Sequence, residues 1–306
     1  MDFNQIYKEA DIEHAVSDPD TAFLSINKDK VVGMSDTEGL IVEPEEIEDG
    51  VEVYLTVKEN VKIENQVHMC FGVTHKKALQ KIVLHIELEE DSKIDILAHC
   101  VFPNAEDVEH LMDADIHVGK NAEYTYIEKH IHSPEGGIKV VPKADIVLEE
   151  GARFKTEFEL IKGRVGELDI DYETTCKKDS VMEMTTKANG FGDDIIKVSE
   201  KGNLVGEGAR GVLNSRVAVR DNAEAEVFNK LMADAPYARG HVDCTEIIQD
   251  NGIANAIPIV EVRHPKAHVT HEAAIGSVDT KQLQTLMSRG ISEDEAVELI
   301  IDGLLS

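Results

Sequence analysis

Polar and apolar positions alternate with a period of two through much of the chain, as at Ile94, Ile96 and Ala98 and again at Phe154, Thr156 and Phe158. That alternation marks half-buried strands, whose side chains point to opposite faces in turn. Each run follows a short acidic or glycine turn. The segments ENVKIENQV, EDSKIDILA, KNAEYTYIE, EGARFKTEF, KDSVMEMTT, EGARGVLNS, DNAEAEVFN and DNGIANAIP begin at Glu59, Glu90, Lys120, Glu150, Lys178, Glu207, Asp221 and Asp250. Their starts lie 31, 30, 30, 28, 29, 14 and 29 residues apart, so one step is a half and the rest are near 30. No unit holds a helical pattern of about 10–15 residues, which excludes βαβ crossovers. A strand-and-turn unit repeated without helices packs best by coiling, so that each strand stacks on its equivalent in the next turn. The inward side chains then form aliphatic columns. The expected fold is an all-β coil of about seven or eight turns, which at about 4.8 Å between stacked strands makes a rod on the order of 35–40 Å long. A β-sandwich with turns at chance spacing is the alternative.

The ends read differently. Residues 1–50 mix a short helix over 3–15 with short strands and acidic loops, residues 51–276 form the coil, and residues 277–306 are helical. In the tail, Ser277 or Asp279 caps KQLQTLMSR, with Leu283, Leu286 and Met287 at helical spacing and Gly290 just past its end. A second helix opens on the capping box formed by Ser292 and Glu295 and continues through AVELIIDGLL. Two helices this short cannot bury Leu299, Ile300, Ile301 and Leu304 between themselves, so they cap the coil or meet a partner.

Composition narrows the function classes. Hydrophobic residues make up 42% of the 306, enough for a substantial core, but only 5% are aromatic and there is no Trp, so that core is aliphatic. The formal net charge of −29 repels phosphate backbones and anionic lipid, which argues against nucleic-acid and membrane partners. Cys70, Cys100, Cys176 and Cys244 are far apart and form neither a zinc ribbon nor a disulfide framework. The start lacks a basic segment followed by an apolar one, and no apolar run approaches the roughly 18–20 residues that cross a bilayer, so a reducing cytoplasm is expected.

Several motifs carry little. GEGARG, residues 206–211, spells GxGxxG, but a strand follows it and Glu207 would repel a pyrophosphate, so it reads as a turn of the coil. No GxxxxGK[ST] run is present, which excludes ATP hydrolysis through a P-loop. In HIHSPEGG, His130 and His132 share a strand face and read as a solvated strand end or a weak metal site. Cys70, His99 and Cys100 lie in apolar rungs and read as core. Cys176 precedes Lys177 and Lys178, which would lower its pKa. More promising is Cys244, in GHVDCTEIIQD with His241, Asp243 and Glu246 around it. One coil further on, HVTHEAAIG carries His271 and Glu272, one residue short of the second His of a zinc-protease HExxH because Ile275 stands there. Stacking on neighbouring rungs would bring thiolate, imidazole and carboxylate together, a mixture that suits iron. His271 and Glu272 point to opposite faces of a regular strand, so both reach one metal only at a bulge, an edge or a subunit interface.

The run from CTEIIQDNG to the C-terminus, with VEV ahead of KAHVTHEA and RGISEDEA ahead of an aliphatic second helix, resembles the SufB/SufD family of iron–sulfur cluster assembly proteins. The resemblance extends more loosely back to about residue 50. It implies a right-handed parallel β-helix whose C-terminal helices bind an ABC-type ATPase, SufC, here through Leu283, Leu286, Met287, Arg289, Ile291 and Leu299. It also implies pairing of two β-helices through their last coils, with a nascent cluster, 4Fe–4S or 2Fe–2S, at that interface. Cys244 matches the SufB cysteine that holds sulfur or iron, Glu272 the SufB carboxylate, and His271 the histidine that SufD supplies. One chain carries both sets, so the implied assembly is a homodimeric scaffold that passes clusters to client apo-proteins. It would be no enzyme itself, the ATPase activity belonging to the partner. The N-terminal cysteine cluster of some SufB proteins is absent and the chain is shorter than typical SufB, which leaves Cys100 or Cys176 to receive or relay sulfur. A metal-free β-helix interaction protein is the alternative. A β-helical enzyme acting on carbohydrate or acyl groups ranks lower, because neither a hexapeptide repeat nor an Asp cluster on one strand face is present.

Overall fold

The computed structural model describes residues 3–305 and consists largely of strands. Helix α1 (Asn4–Glu9) and a single 3-10 turn precede β1 (Phe23–Asn27), β2 (Lys30–Ser35), β3 (Leu40–Ile47) and β4 (Gly50–Val57). The body follows as β5 (Val67–Gly72), β6 (Lys77–Leu88), β7 (Lys93–Phe102), β8 (Asp107–Val118), β9 (Glu123–His132) and β10 (Ile138–Leu148). It continues through β11 (Arg153–Lys162), β12 (Gly166–Cys176), β13 (Val181–Gly190), β14 (Ile195–Leu204) and β15 (Arg210–Val219). The last coils are β16 (Glu224–Ala233), β17 (Arg239–Ile248), β18 (Ile253–Val262) and β19 (His268–Ser277), and the tail is α2 (Thr280–Met287) and α3 (Glu293–Leu305). From β4 onward even-numbered strands stack in one sheet and odd-numbered strands in the other, each paired in parallel with the strand two places along. This is a parallel β-helix, as the alternation and the repeat predict.

The repeat has a backbone cause. In the turns that lead to the odd strands, Asn60, Asp91, Asn121, Gly151, Asp179, Gly208 and Tyr237 all take positive φ. Gly, Asn and Asp enter that left-handed region at least cost, which is why the turns read as acidic or glycine signals. At Gly151 an added Cβ would stand 2.4 Å from Asn121 Oδ1, so the turn of one coil also packs on the turn of the coil before it. Asp221 and Asp250 take positive φ in the other row of turns, those that lead to β16 and β18. The 14-residue step is therefore the crossing from one row of turns to the other.

Inward side chains form in-register columns. One runs Met69, Ala98, Glu128, Phe158, Thr186, Ser215, Cys244, Ala273, and its neighbour runs Cys100, His130, Leu160, Ala188, Val217, Glu246, Ile275. Most columns are aliphatic, but these two are broken by buried polar groups.

The two ends of the coil differ. At the N-terminal end β2 and β3 pair antiparallel to β1 and β4, and β3 carries Pro44 among Glu43, Glu45 and Glu46. Proline and charge on an outer strand discourage further pairing. At the C-terminal end β18 and β19 finish their sheets with no strand beyond them among the described residues, and Ile253, Ile257, Val262 and Ile275 are exposed on them.

The tail does not cover that end. Val297, Ile300, Ile301 and Leu305 of α3 pack with Ala218, Ile247 and Val278 on the outer face of the odd-numbered sheet, where Arg220 and Glu298 pair at 2.5 Å. Of the two expectations for the helices, capping the coil is the one the structure corrects: the sheet's own flank offers the apolar surface. Asp279 accepts from the Gln282 N–H and Ser292 forms a capping box with Glu295, as expected.

Candidate functional site

The candidate ligands lie on β17 and β19, the last two strands of the odd-numbered sheet, at the open end. On β17, period-two alternation turns Val242, Cys244 and Glu246 inward, and all three are buried. The pairing sets Val242 opposite His271, Asp243 opposite Glu272 and Cys244 opposite Ala273. Residues paired in a parallel ladder share a face, so His271 lies on the inward side with Cys244, one strand along and two positions away. Glu272 lies on the outward side with Asp243, whose carboxylate is 3.8 Å from Arg216. Within one chain, then, the fold brings the two segments side by side but separates Glu272 from the thiol by the thickness of the strand. Both can face one object only around the free edge of β19, and that edge is open.

Burial pushes the Cys244 thiol up from its ordinary pKa, although Ser215 and Asn229 beside it act the other way. Asn229 lies 3.5 Å from Cys244 Sγ. Two positions along, Glu246 is buried, neither of its carboxylate oxygens has a hydrogen-bond partner among the described residues, and burial raises its pKa to about 7. It stands on the face of the thiol, closer in character to a ligand than its surface-like sequence context suggests.

Further inside the coil lies a second polar group, which sequence reasoning treats as core or as a strand end. Cys100, His110, Glu128, His130 and His132 are all buried. Cys100 Sγ donates to Glu128 Oε1 at 3.4 Å and lies 3.8 Å from His110 Nε2. His130 Nε2 is 2.7 Å from the same Glu128 oxygen, and His130 Nδ1 is 3.1 Å from His132 Nε2. Burial pushes the Glu128 carboxyl up, but His130, His110 and Cys100 outweigh it and hold the group below its ordinary value. Burial and the Glu128 charge raise the Cys100 thiol, and burial lowers His110 to about 3. His130 and His132 are thus interior residues, not a solvated strand end: the strand runs on beneath the next coil before its loop begins.

Cys176 departs from expectation in the same way. It faces inward, burial pushes it up to about 12, and Lys177 and Lys178 stand outside, paired with Glu149 and Glu150. The lysines therefore do not activate it.

Between the two polar groups, Thr186 Oγ1 donates to Glu200 Oε1 at 2.7 Å, and burial raises Glu200 to about 7. Asn229 turns its amide nitrogen to Glu200 Oε2 at 3.3 Å and its oxygen to Ser215 Oγ. Because the folded chain holds the Glu200 proton more tightly than the unfolded one, whose carboxyl titrates near 4.5, stability is full below that value. It falls as pH rises toward about 7 and is flat above. Glu200→Gln keeps an acceptor for Thr186, and Asn229 can reverse its amide. The variant should gain on the order of 2–3 kcal/mol over the wild type at pH 8 and nothing at pH 4, as read by denaturant unfolding at the two pH values.

The chain is similar to known proteins along most of its length. The family model for the SUF system FeS cluster assembly SufBD core domain matches residues 70–304. An iron–sulfur cluster assembly SufBD family protein of Methanocaldococcus jannaschii is 41% identical over 280 residues, covering 92% of this chain and 89% of that protein. Another, of Pyrococcus horikoshii, is 34% identical over 301 residues, covering 98% of this chain and 92% of that protein. A third, of Archaeoglobus fulgidus, is 28% identical over 248 residues.

Proposed function

The chain belongs to the SufBD family and has its role in iron–sulfur cluster assembly; on that premise we propose that it is the scaffold itself, a homodimer that builds a cluster at the open ends of two coils. The observation that carries this reading is the last coil: Cys244 and His271 face inward on adjacent strands, Glu272 faces outward on the outermost one, and no strand covers the edge among the described residues. Two copies meeting edge to edge would continue both sheets and remove the free hydrogen-bonding groups. They would also set two thiols, two imidazoles and two carboxylates around one contact, with the cluster as cargo. Thiolate grips iron firmly, whereas exchangeable carboxylate and imidazole ligands permit release to client apo-proteins.

The energy input in this reading comes from an ABC-type ATPase docked on the tail. Met287, Arg289 and Leu299 are exposed, and Leu283, Leu286 and Ile291 are half-buried, with Leu283 and Leu286 seated against the α3 cluster. A partner that grips the exposed side of α2 and α3 would pull on Ile247 and Ala218, one and two strands away from the edge that carries His271 and Glu272. Movement of the tail and strain at the contact are thereby mechanically linked. The test is co-purification with the ATPase subunit of the same system. The full chain should retain it, and a chain ending at residue 279 should lose it while remaining folded by circular dichroism. Retention by the truncated chain would remove the tail from the reading.

A further inference from the structure

We propose that Cys100, His110 and Glu128 form a mononuclear site for a divalent cation of borderline hardness, Fe2+ or Zn2+, inside the coil and separate from the open end. The three side chains come from β7, β8 and β9 and each offers one ligand atom within 4.8 Å of the others. Their types are those that such ions accept together, one soft thiolate, one imidazole and one carboxylate. The separations fit. Metal–sulfur bonds of about 2.3 Å and metal–nitrogen or metal–oxygen bonds of about 2.0–2.2 Å place tetrahedral ligands about 3.5 Å apart. Cys100 Sγ stands 3.4 Å from Glu128 Oε1 and 3.8 Å from His110 Nε2.

The surroundings orient the ligands. Gln80 Nε2 donates to the carbonyls of Lys28 and Gly72, which fixes its amide and leaves Oε1 as an acceptor. His110 Nδ1–H therefore donates to Gln80 Oε1 at 2.9 Å, and its Nε2 presents a lone pair toward Cys100. Imidazoles that bind metals are held in this way, by an outer acceptor on the far nitrogen. Glu128 Oε1 is held by His130, which His132 in turn orients. Glu128 Oε2 is buried and has no hydrogen-bond partner among the described residues, a cost that a cation would relieve. Binding releases the Cys100 thiol proton to solvent. An interior lined for packing alone would have no reason to collect a thiol, an imidazole and a carboxylate with one oxygen left over.

Cobalt tests the assignment, because a thiolate on tetrahedral Co2+ gives a near-ultraviolet charge-transfer band together with intense visible bands. The full chain is produced with Co2+ in the medium, so that the buried site fills during folding, and is then freed of surface metal by chelation. One cobalt per chain and the thiolate band are expected, with both retained in Cys244→Ser and both lost in Cys100→Ala. X-ray absorption of the wild-type protein should show a single sulfur neighbour, a readout independent of whether any variant folds. Absence of the band in folded wild-type chain, two or more sulfur neighbours, or a band that survives Cys100→Ala would overturn the site. Because Cys244→Ser separates the two places, failure here leaves the open-end scaffold standing, and the reverse.

Discussion

Cys244→Ser should leave the chain folded and remove most of the visible absorbance that iron and sulfide confer on the wild type under anaerobic conditions. The side chain is fully buried between Ser215 and Ala273 in its column, and a hydroxyl of nearly the same size can still meet Ser215 and the Asn229 amide. Stability should therefore change little. The ligand, however, disappears: an alkanol does not ionise near neutral pH, and hard oxygen does not replace thiolate on iron–sulfur clusters. No other cysteine lies beyond residue 176, so no neighbouring thiol can substitute at this end of the coil. Cluster-bound iron per chain should fall by about tenfold or more. Glu272→Gln and His271→Gln should reduce it less, since each removes one of the exchangeable ligands. A Cys244→Ser protein with undiminished absorbance would sink the assignment of the open end as the assembly site.

Phe158→Ala should produce the largest loss of stability among single core substitutions. Phe158 is fully buried in the middle coil, one place along the column from Glu128, with its ring 4.6 Å from that of His130. Removing a buried aromatic side chain costs about 3–5 kcal/mol, because the cavity collapses only in part. Here collapse is further opposed by the columns, whose members are fixed by strand register above and below. Stacked coils are stabilised chiefly by their neighbours, so the gap weakens the contact between the halves on either side of it. Denaturant unfolding followed by circular dichroism should show a loss of this size, and a loss under about 1 kcal/mol would show that the interior repacks freely. The same variant should also loosen His130, and with it the hold on Glu128.

The fold was legible because its causes are local. Alternation within each strand and a left-handed residue in each turn are properties of a few consecutive positions, and both recur near every 30 residues. The caps on α2 and α3 were legible for the same reason: Asp279 and Ser292 act on groups three residues away. The interior chemistry was not. Cys100, His110 and Glu128 are 10 and 18 residues apart, a spacing that matches no ligand motif, and they meet only because the coil stacks β7 on β9 and faces both with β8. His130 and His132, next to a Ser-Pro-Glu-Gly-Gly loop, look wet when read along the chain, and their burial comes from Phe102 and Phe158 on the neighbouring coils. Lys177 and Lys178 misled in the opposite sense, since adjacency in sequence placed their charges outside while Cys176 turned in. For the open end, sequence spacing set the two segments on neighbouring strands, and strand alternation alone already turned His271 and Glu272 to opposite faces.

The unlike ends of the coil set a limit on growth. An edge that has lost its antiparallel cover could stack head to tail on the next molecule without stopping, as fibrils do. Here the back that such a front would meet ends the even-numbered sheet in β3, where Pro44 among Glu43, Glu45 and Glu46 makes a poor template, while β2, with neither proline nor glutamate, ends the other sheet. In the proposed dimer, association through the exposed edge is front to front, each open end covers the other, and no free front is left from which a filament could lengthen.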